Sequence, residues 1–190
     1  MLYEAQFRNP AGAGKLIQAI RDMDLPELWI MEICGTHTMS IAKAGLRQIL
    51  PPHIHLISGP GCPVCVTPSG VMDEVLRISQ LPNVTITTYG DLLRVPGSVP
   101  GDNLQRRSAQ GADVRMVYSP MDSLDMAEQE PDREFIFLGV GFETTAPGTA
   151  IAVQEAKARG RKNFSLLSLL KRTEPAMRAI IESDDFNVSG

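Results

Sequence analysis

His53-Ile54-His55-Leu56-Ile57-Ser58-Gly59-Pro60-Gly61-Cys62-Pro63-Val64-Cys65-Val66-Thr67-Pro68 passes from a strand through a glycine-bent, proline-rich loop into a helix. The strand turns apolar toward Ile57, and Thr67 is placed to cap a helix that opens on Pro68. The loop between them carries two thiols separated by two residues. Such a pair can close a disulfide, chelate a soft metal or sit as neighbours in a core, and the glycine and proline content makes this loop a poor core segment.

The same strand, loop and helix order recurs outward from this stretch. On the N-terminal side, Asn9-Pro10 starts a helix whose Leu16, Ile17, Ile20 and Met23 share a face. Leu28 to Ile33 is then a near-continuous apolar run, which predicts a strand largely buried on both faces with Cys34 at its C-terminal end. Gly35-Thr36-His37-Thr38 turns into a helix, capped by Thr36 or Thr38, that runs to about Leu50. On the C-terminal side, strands are predicted at Val84–Tyr89, Asp113–Tyr118, Glu134–Val140 and Phe164–Leu169. Helices are predicted at about 104–109, 120–129, 149–158 and 175–181. The loop from Gly90 to Gly101 is long for its kind, and long loops often carry function.

Strands alternating with helices at this pitch imply an α/β, Rossmann-like fold: a parallel sheet with right-handed crossovers and helices on both faces. Ligands bind such sheets at the C-terminal strand ends, so Cys34, His37, Cys62 and Cys65 are expected on one rim. Two divisions are expected, a first α/β domain over 1–133 with the cysteine loops and the start of a second, incomplete one over 134–190. The end of the sequence at Asn187-Val188-Ser189-Gly190, with no further strand to complete the unit, reads as that of a fragment.

A hydrophobic fraction of 43% is enough for a real core, and a net charge of −4 with scattered basic clusters gives nucleic-acid binding little support. No apolar run suffices for a membrane span, and Met1-Leu2-Tyr3-Glu4-Ala5 lacks signal-peptide design, so a cytoplasmic location is expected. Three cysteines do not make a secreted disulfide framework. In a reducing compartment their chemistry points to metal binding or catalysis.

A thiolate at a helix N-terminus is stabilised by unpaired amides, which favours Cys34 and one member of the Cys62/Cys65 pair as ligands or nucleophiles. Cys34-x-x-His37 with Cys62-x-x-Cys65 also forms a three-cysteine, one-histidine zinc set, although a sheet of this size folds without metal. Three residues past a thiol on the same turn, His37 is a site candidate as much as a structural histidine. His53 and His55 face one side at the N-terminal end of their strand, away from the rim. Glu143 is placed for a first-turn carboxylate, structural or proton-transferring. Gly139-x-Gly141 is no dinucleotide fingerprint, because Thr144 occupies the third glycine's place.

Taken together, five motifs resemble the nickel-iron hydrogenase maturation proteins of the HypD family. They are Glu32-Ile33-Cys34-Gly35-Thr36-His37-Thr38, Gly59-Pro60-Gly61-Cys62-Pro63-Val64-Cys65, Leu93-Arg94-Val95-Pro96-Gly97, Gly111-Ala112-Asp113-Val114-Arg115 with Tyr118-Ser119-Pro120, and Gly141-Phe142-Glu143-Thr144-Thr145-Ala146-Pro147. The resemblance covers nearly the whole chain and about the N-terminal half of the family's length. It implies a scaffold on which an iron carrying cyanide and carbon monoxide is assembled, with a small chaperone, HypC, and a ligand-delivering protein, HypE, as partners. Cys34 would be an iron ligand shared with a partner thiolate. Cys62 and Cys65, further candidate metal thiolates, would form a redox-active dithiol, with His37 and Glu143 lining the cleft as candidate catalytic groups. The family's C-terminal cysteines have no counterpart here, so its four-iron cluster is not expected in this chain. Leu169-Leu170-Lys171 stands where the family leads one to expect a histidine.

The residues alone leave open whether the chain is an enzyme or a scaffold with dithiol chemistry. A thioredoxin-like oxidoreductase would need only Cys62 and Cys65. A zinc-binding interaction module would need Cys34, His37, Cys62 and Cys65 equally.

Overall fold

Local capping chemistry starts three helices of the structure, a computed structural model that describes residues 9–190. Asn9 accepts the Gly12 N–H at 3.1 Å and Pro10 opens helix α1, Pro10–Arg21. The described chain divides into two compact units, 9–61 with 178–190 and 62–177.

In the first unit, strands β1 (Leu28–Glu32) and β2 (Ile54–Ser58) pair in parallel, from Leu28 opposite Ile54 to Glu32 opposite Ser58. Between them run helices α2 (Gly35–Lys43) and α3 (Leu46–Ile49). Gly45 at φ +63° separates them, so the single helix expected to about Leu50 is broken by a left-handed residue. On the other edge of β1, Ser189 N–H donates to Trp29 O at 2.7 Å and Met31 N–H to Gly190 O at 2.9 Å.

The expectation that Leu28–Ile33 is buried on both faces fails. Trp29 is 37% exposed, and no hydrophobic side chain of this unit joins the fully buried core. Burial on both faces needs a packed layer on each side of the strand, and the helices of this unit contribute no fully buried residue to such a layer. Trp29 instead stacks on the His55 ring, centroids 4.1 Å apart, and His55 Nε2 lies 3.0 Å from Glu27 Oε1. His55 is thus tied up structurally at the N-terminal end of β2, as its position in the sequence implies.

The second unit carries the core. Strands β3 (Val84–Thr88), β4 (Asp113–Met116), β5 (Glu134–Gly141) and β6 (Phe164–Leu170) form one parallel sheet in the order β4-β3-β5-β6. Its helices are α4 (Ser69–Ile78), α5 (Leu104–Ala109), α6 (Pro120–Gln129), α7 (Ala146–Ala158) and α8 (Thr173–Ile181), the last running past the end of the unit. Asn103 caps α5, and Ser119 with Asp122 forms a capping box ahead of Pro120 on α6.

Period-two alternation sends β5 residues to opposite faces of the sheet. Leu138 and Val140 meet Met72, Val75 and Leu76 of α4, with Ile86, Leu92 and Leu104. Phe135 and Phe137 share their face with Thr85 and Thr87, whose neighbour across the layer is Ser123 of α6, 2.6 Å from Thr87 Oγ1. Helices therefore cover both faces, as the Rossmann-like reading requires.

Two expectations are corrected here. The division at 133/134 would cut β5 from β3, to which it is hydrogen-bonded from Val84–Glu134 to Thr88–Leu138. Nor do all strands share one sheet: β1 and β2 pair only with each other among the described strands. The sheet order also has a switch point. β4 lies on one side of β3 and β5 on the other, so the loops leaving the C-terminal ends of β3 and β5 diverge and open a crevice, the usual ligand position in open α/β sheets. No described helix is long and apolar enough to cross a membrane.

Candidate functional site

Cys34 is the N-cap residue of α2, extended at φ −156° and ψ 124°. Neither Thr36 nor Thr38 caps the helix, because both already lie inside it. The Cys34 sulfur makes no cap hydrogen bond. The backbone amides of His37 and Thr36 nonetheless hold its thiol below the ordinary thiol range, against partial desolvation and the Glu32 charge.

Sequence reasoning passed over Glu32 as a site residue. Its Oε1 accepts the Thr38 hydroxyl at 2.5 Å and its Oε2 the Cys34 N–H at 3.2 Å. Hydrogen bonds from the Thr38 hydroxyl, the Ser58 hydroxyl and the Cys34 amide hold the Glu32 carboxyl below the usual carboxylate range. One carboxylate thereby ties the end of β1, the first turn of α2 and the end of β2 around Cys34. The available signal was a charged residue at the end of an otherwise apolar strand, two positions before the thiol.

Beyond the last strand pair the two loops stay in contact. Gly59 N–H donates to Glu32 O at 2.7 Å. A Cβ at Gly61 would collide with the Ile33 carbonyl and the Cys34 nitrogen. His37 is exposed on the first turn of α2.

In the second unit Cys62 and Cys65 are joined by a disulfide across one tight turn. Within that turn the Cys65 N–H donates to Cys62 Sγ at 3.1 Å, and the Val66 N–H to Cys62 O at 3.3 Å. Thr67 does not cap α4: its hydroxyl donates to Pro63 O at 2.9 Å, and Pro68 takes the cap position. Cys62 is half-buried and Cys65 exposed.

Glu143 follows β5 and binds the start of α8, accepting the Thr173 N–H at 2.7 Å and the Thr173 hydroxyl at 2.8 Å. Its carboxyl is held below the usual range by its own backbone amide and by Thr173. The geometry makes it a helix-capping carboxylate joining the β5 and β6 loops. Lys171, in the stretch where the family resemblance implies a histidine, donates its backbone N–H to Gly141 O at 2.8 Å.

Cys34 and His37 thus belong to the first unit, and Cys62, Cys65 and Glu143 to the second. Among the described residues no three of histidine, cysteine, aspartate and glutamate converge as a metal-ligand group.

A family model, HypD, described as the hydrogenase formation hypA family, matches residues 12–190. The chain belongs to the HypD family. It is 48% identical to the hydrogenase maturation factor HypD of Rhizobium leguminosarum bv. viciae, over 100% of this chain and 50% of that protein. It is 44% identical to that of Escherichia coli, over 97% of this chain and 51% of the other, and 43% identical to that of Rhodobacter capsulatus, over 100% and 52%. The chain therefore spans about half the length of the HypD relatives it matches. All five motifs fall inside the matched residues.

The helix-start environment of Cys34 has a measurable consequence. Its alkylation by iodoacetamide is expected to reach half its limiting rate below the ~8.5 of a free cysteine thiol. Glu32→Gln removes a charge that opposes ionisation, so it should move that midpoint further down. Rates followed by mass spectrometry with the disulfide kept closed check both; a midpoint at the free-thiol value contradicts the helix-start stabilisation.

Proposed function

We propose that this chain acts in hydrogenase maturation as a scaffold for assembling an iron that carries cyanide and carbon monoxide, with Cys34 as its thiolate donor. The observation that carries this reading is the setting of Cys34: a half-buried sulfur at a helix start, with lowered pKa, positioned by Glu32. A soft thiolate suits low-spin iron with strong-field ligands, and a lowered pKa makes the deprotonated donor more accessible than in an ordinary thiol.

One thiolate does not hold a metal alone, and no ligand group gathers around it among the described residues. In this reading the remaining donors come from what the family resemblance implies: the cyanide and carbonyl ligands and a thiolate from the small chaperone HypC, with HypE delivering ligands. This chain's own work is to present the sulfur, and Glu32, Thr38 and Gly61 fix where it sits. The Cys62–Cys65 disulfide serves as the accompanying redox pair, able to take up two electrons and release two thiolates. A dithiol oxidoreductase needing only that pair would leave the activated Cys34 without a task.

Anaerobic co-purification of the full HypD protein with HypC tests the reading. Stoichiometric iron with infrared bands in the cyanide and carbonyl region is expected in the complex. A complex that forms without iron or those bands refutes it.

A further inference from the structure

The motif Leu93-Arg94-Val95-Pro96-Gly97 has no part in the reading above, yet the fold places it beside the disulfide. A groove of ≈ 420 Å³ runs along Cys65, with Val64, Val95 and Pro96 as its apolar lining and Asp91 and Arg94 as its charges. It sits in the loop after β3, on the switch-point side of the sheet. The loop is held firmly. Leu92 is fully buried, Val95 packs on the core, and Asp73 of α4 accepts the Ser98 N–H at 2.7 Å and the Ser98 hydroxyl at 2.5 Å. Gly97 lies so close to Asp73 that a Cβ would strike its carboxylate.

The two charges differ in freedom. Asp91 is engaged by the Leu92 N–H at 3.1 Å, capping the short turn Leu92–Arg94. Arg94 is exposed and has no hydrogen-bond or ion-pair partner among the described residues. The two sulfurs differ as well. Cys65 is exposed and lines the groove, whereas Cys62 is half-buried and receives the Cys65 N–H.

We propose that this groove receives a thiol-bearing protein segment, that Arg94 attracts its thiolate, and that Cys65 is the sulfur attacked. The inference rests on the redox-pair part of the function proposed above. In the step, the incoming thiolate forms a bond to Cys65 Sγ as the Cys62–Cys65 bond breaks. The electron pair of that bond leaves on Cys62 Sγ, where the Cys65 N–H stabilises the new thiolate. The product is a mixed disulfide between the segment and Cys65. A second thiol of the same segment then displaces Cys65 as a thiolate, so the segment's two thiols are oxidised to a disulfide while this chain's pair is reduced.

The test compares reduction of the closed disulfide by 2-mercaptoethanesulfonate, 2-mercaptoethanol and cysteamine at equal thiolate concentration. The anionic thiol is expected to react about two- to five-fold faster than the cationic one, the range that one exposed charge contributes. Arg94→Gln should remove the preference, Arg94→Glu reverse it and Arg94→Lys keep it, with Arg106→Gln as an unaltered control. Acid quenching, alkylation and peptide mapping should find the adduct on Cys65 and the alkyl group on Cys62. Equal rates for all three thiols in the wild-type chain, or an adduct on Cys62, overturn the groove assignment and leave the redox pair standing. A disulfide that none of the thiols reduces overturns the redox pair and the groove together.

Discussion

Gly61→Ala is expected to destabilise the β1–β2 unit by about 1–3 kcal/mol and to raise the titration midpoint of Cys34 toward that of a free thiol. The reason is close approach. The Cβ added at Gly61 would overlap the Ile33 carbonyl and the Cys34 nitrogen, and these are backbone atoms that cannot rotate away. Relief requires the loop after β2 to part from the end of β1. That separation pulls on the junction where Glu32 accepts the Cys34 N–H and the Thr38 hydroxyl, and so on the first turn of α2. Gly14→Ala is the matched control, since nothing lies within 4 Å of its added Cβ. Within α1 it should be neutral or slightly stabilising, by about 0.5–1 kcal/mol. Denaturant melts and the alkylation profile check both; a Gly61→Ala protein with unaltered stability and unaltered Cys34 reactivity contradicts the packing account.

Phe137→Ala is expected to cost about 3–5 kcal/mol, the range for deleting a buried aromatic ring. Phe137 is 0% exposed at the centre of β5, with Tyr89 edge-on at a ring distance of 5.5 Å. Burial raises the Tyr89 pKa, and the cavity left by Phe137→Ala should bring its titration back down as water enters. Because the fully buried hydrophobic residues among those described all lie within 62–177, the loss should appear in that unit's hydrogen exchange, at the β3 and β5 amides. The loops carrying Arg94 and Glu143 leave those two strands, so they should exchange faster too. A change confined to β1 and β2 would contradict this placement of the core.

Most of the second unit was legible in the sequence because its signals are local. Apolar segments such as Val84–Thr88 and Glu134–Gly141 are bounded by turn residues, and Ser119-Pro120 announces a helix through its own cap. What was not legible is pairing. Nothing in the periodicity of Leu28–Ile33 says that its hydrogen-bonded neighbours among the described residues are β2 and the 189–190 segment, so its apolar character by itself predicts burial on both faces. For the same reason no local signal tells that β5 lies between β3 and β6 in one sheet rather than opening a new domain.

At the site, the three-residue separation of Cys62 and Cys65 allowed a disulfide and the fold closes it. Cys34 was correctly set at a strand end, but its environment depends on Glu32, Thr38, Ser58 and Gly61, which only the β1–β2 register brings together. Glu143 was read as a first-turn carboxylate of the helix that follows it. It instead binds Thr173 of α8, thirty residues on, a partner that sequence spacing does not reveal.

The claim on which the function rests is that Cys34 is the iron donor, and the most direct measurement is the infrared spectrum of the HypC complex made with Cys34→Ser in the full HypD protein. Serine keeps the size and N-cap geometry of position 34 and replaces a soft donor with a poor one. The account predicts a folded complex in which the cyanide and carbonyl bands and the iron are lost while the Cys62–Cys65 pair still titrates. Bands of wild-type intensity in the Cys34→Ser complex would contradict it.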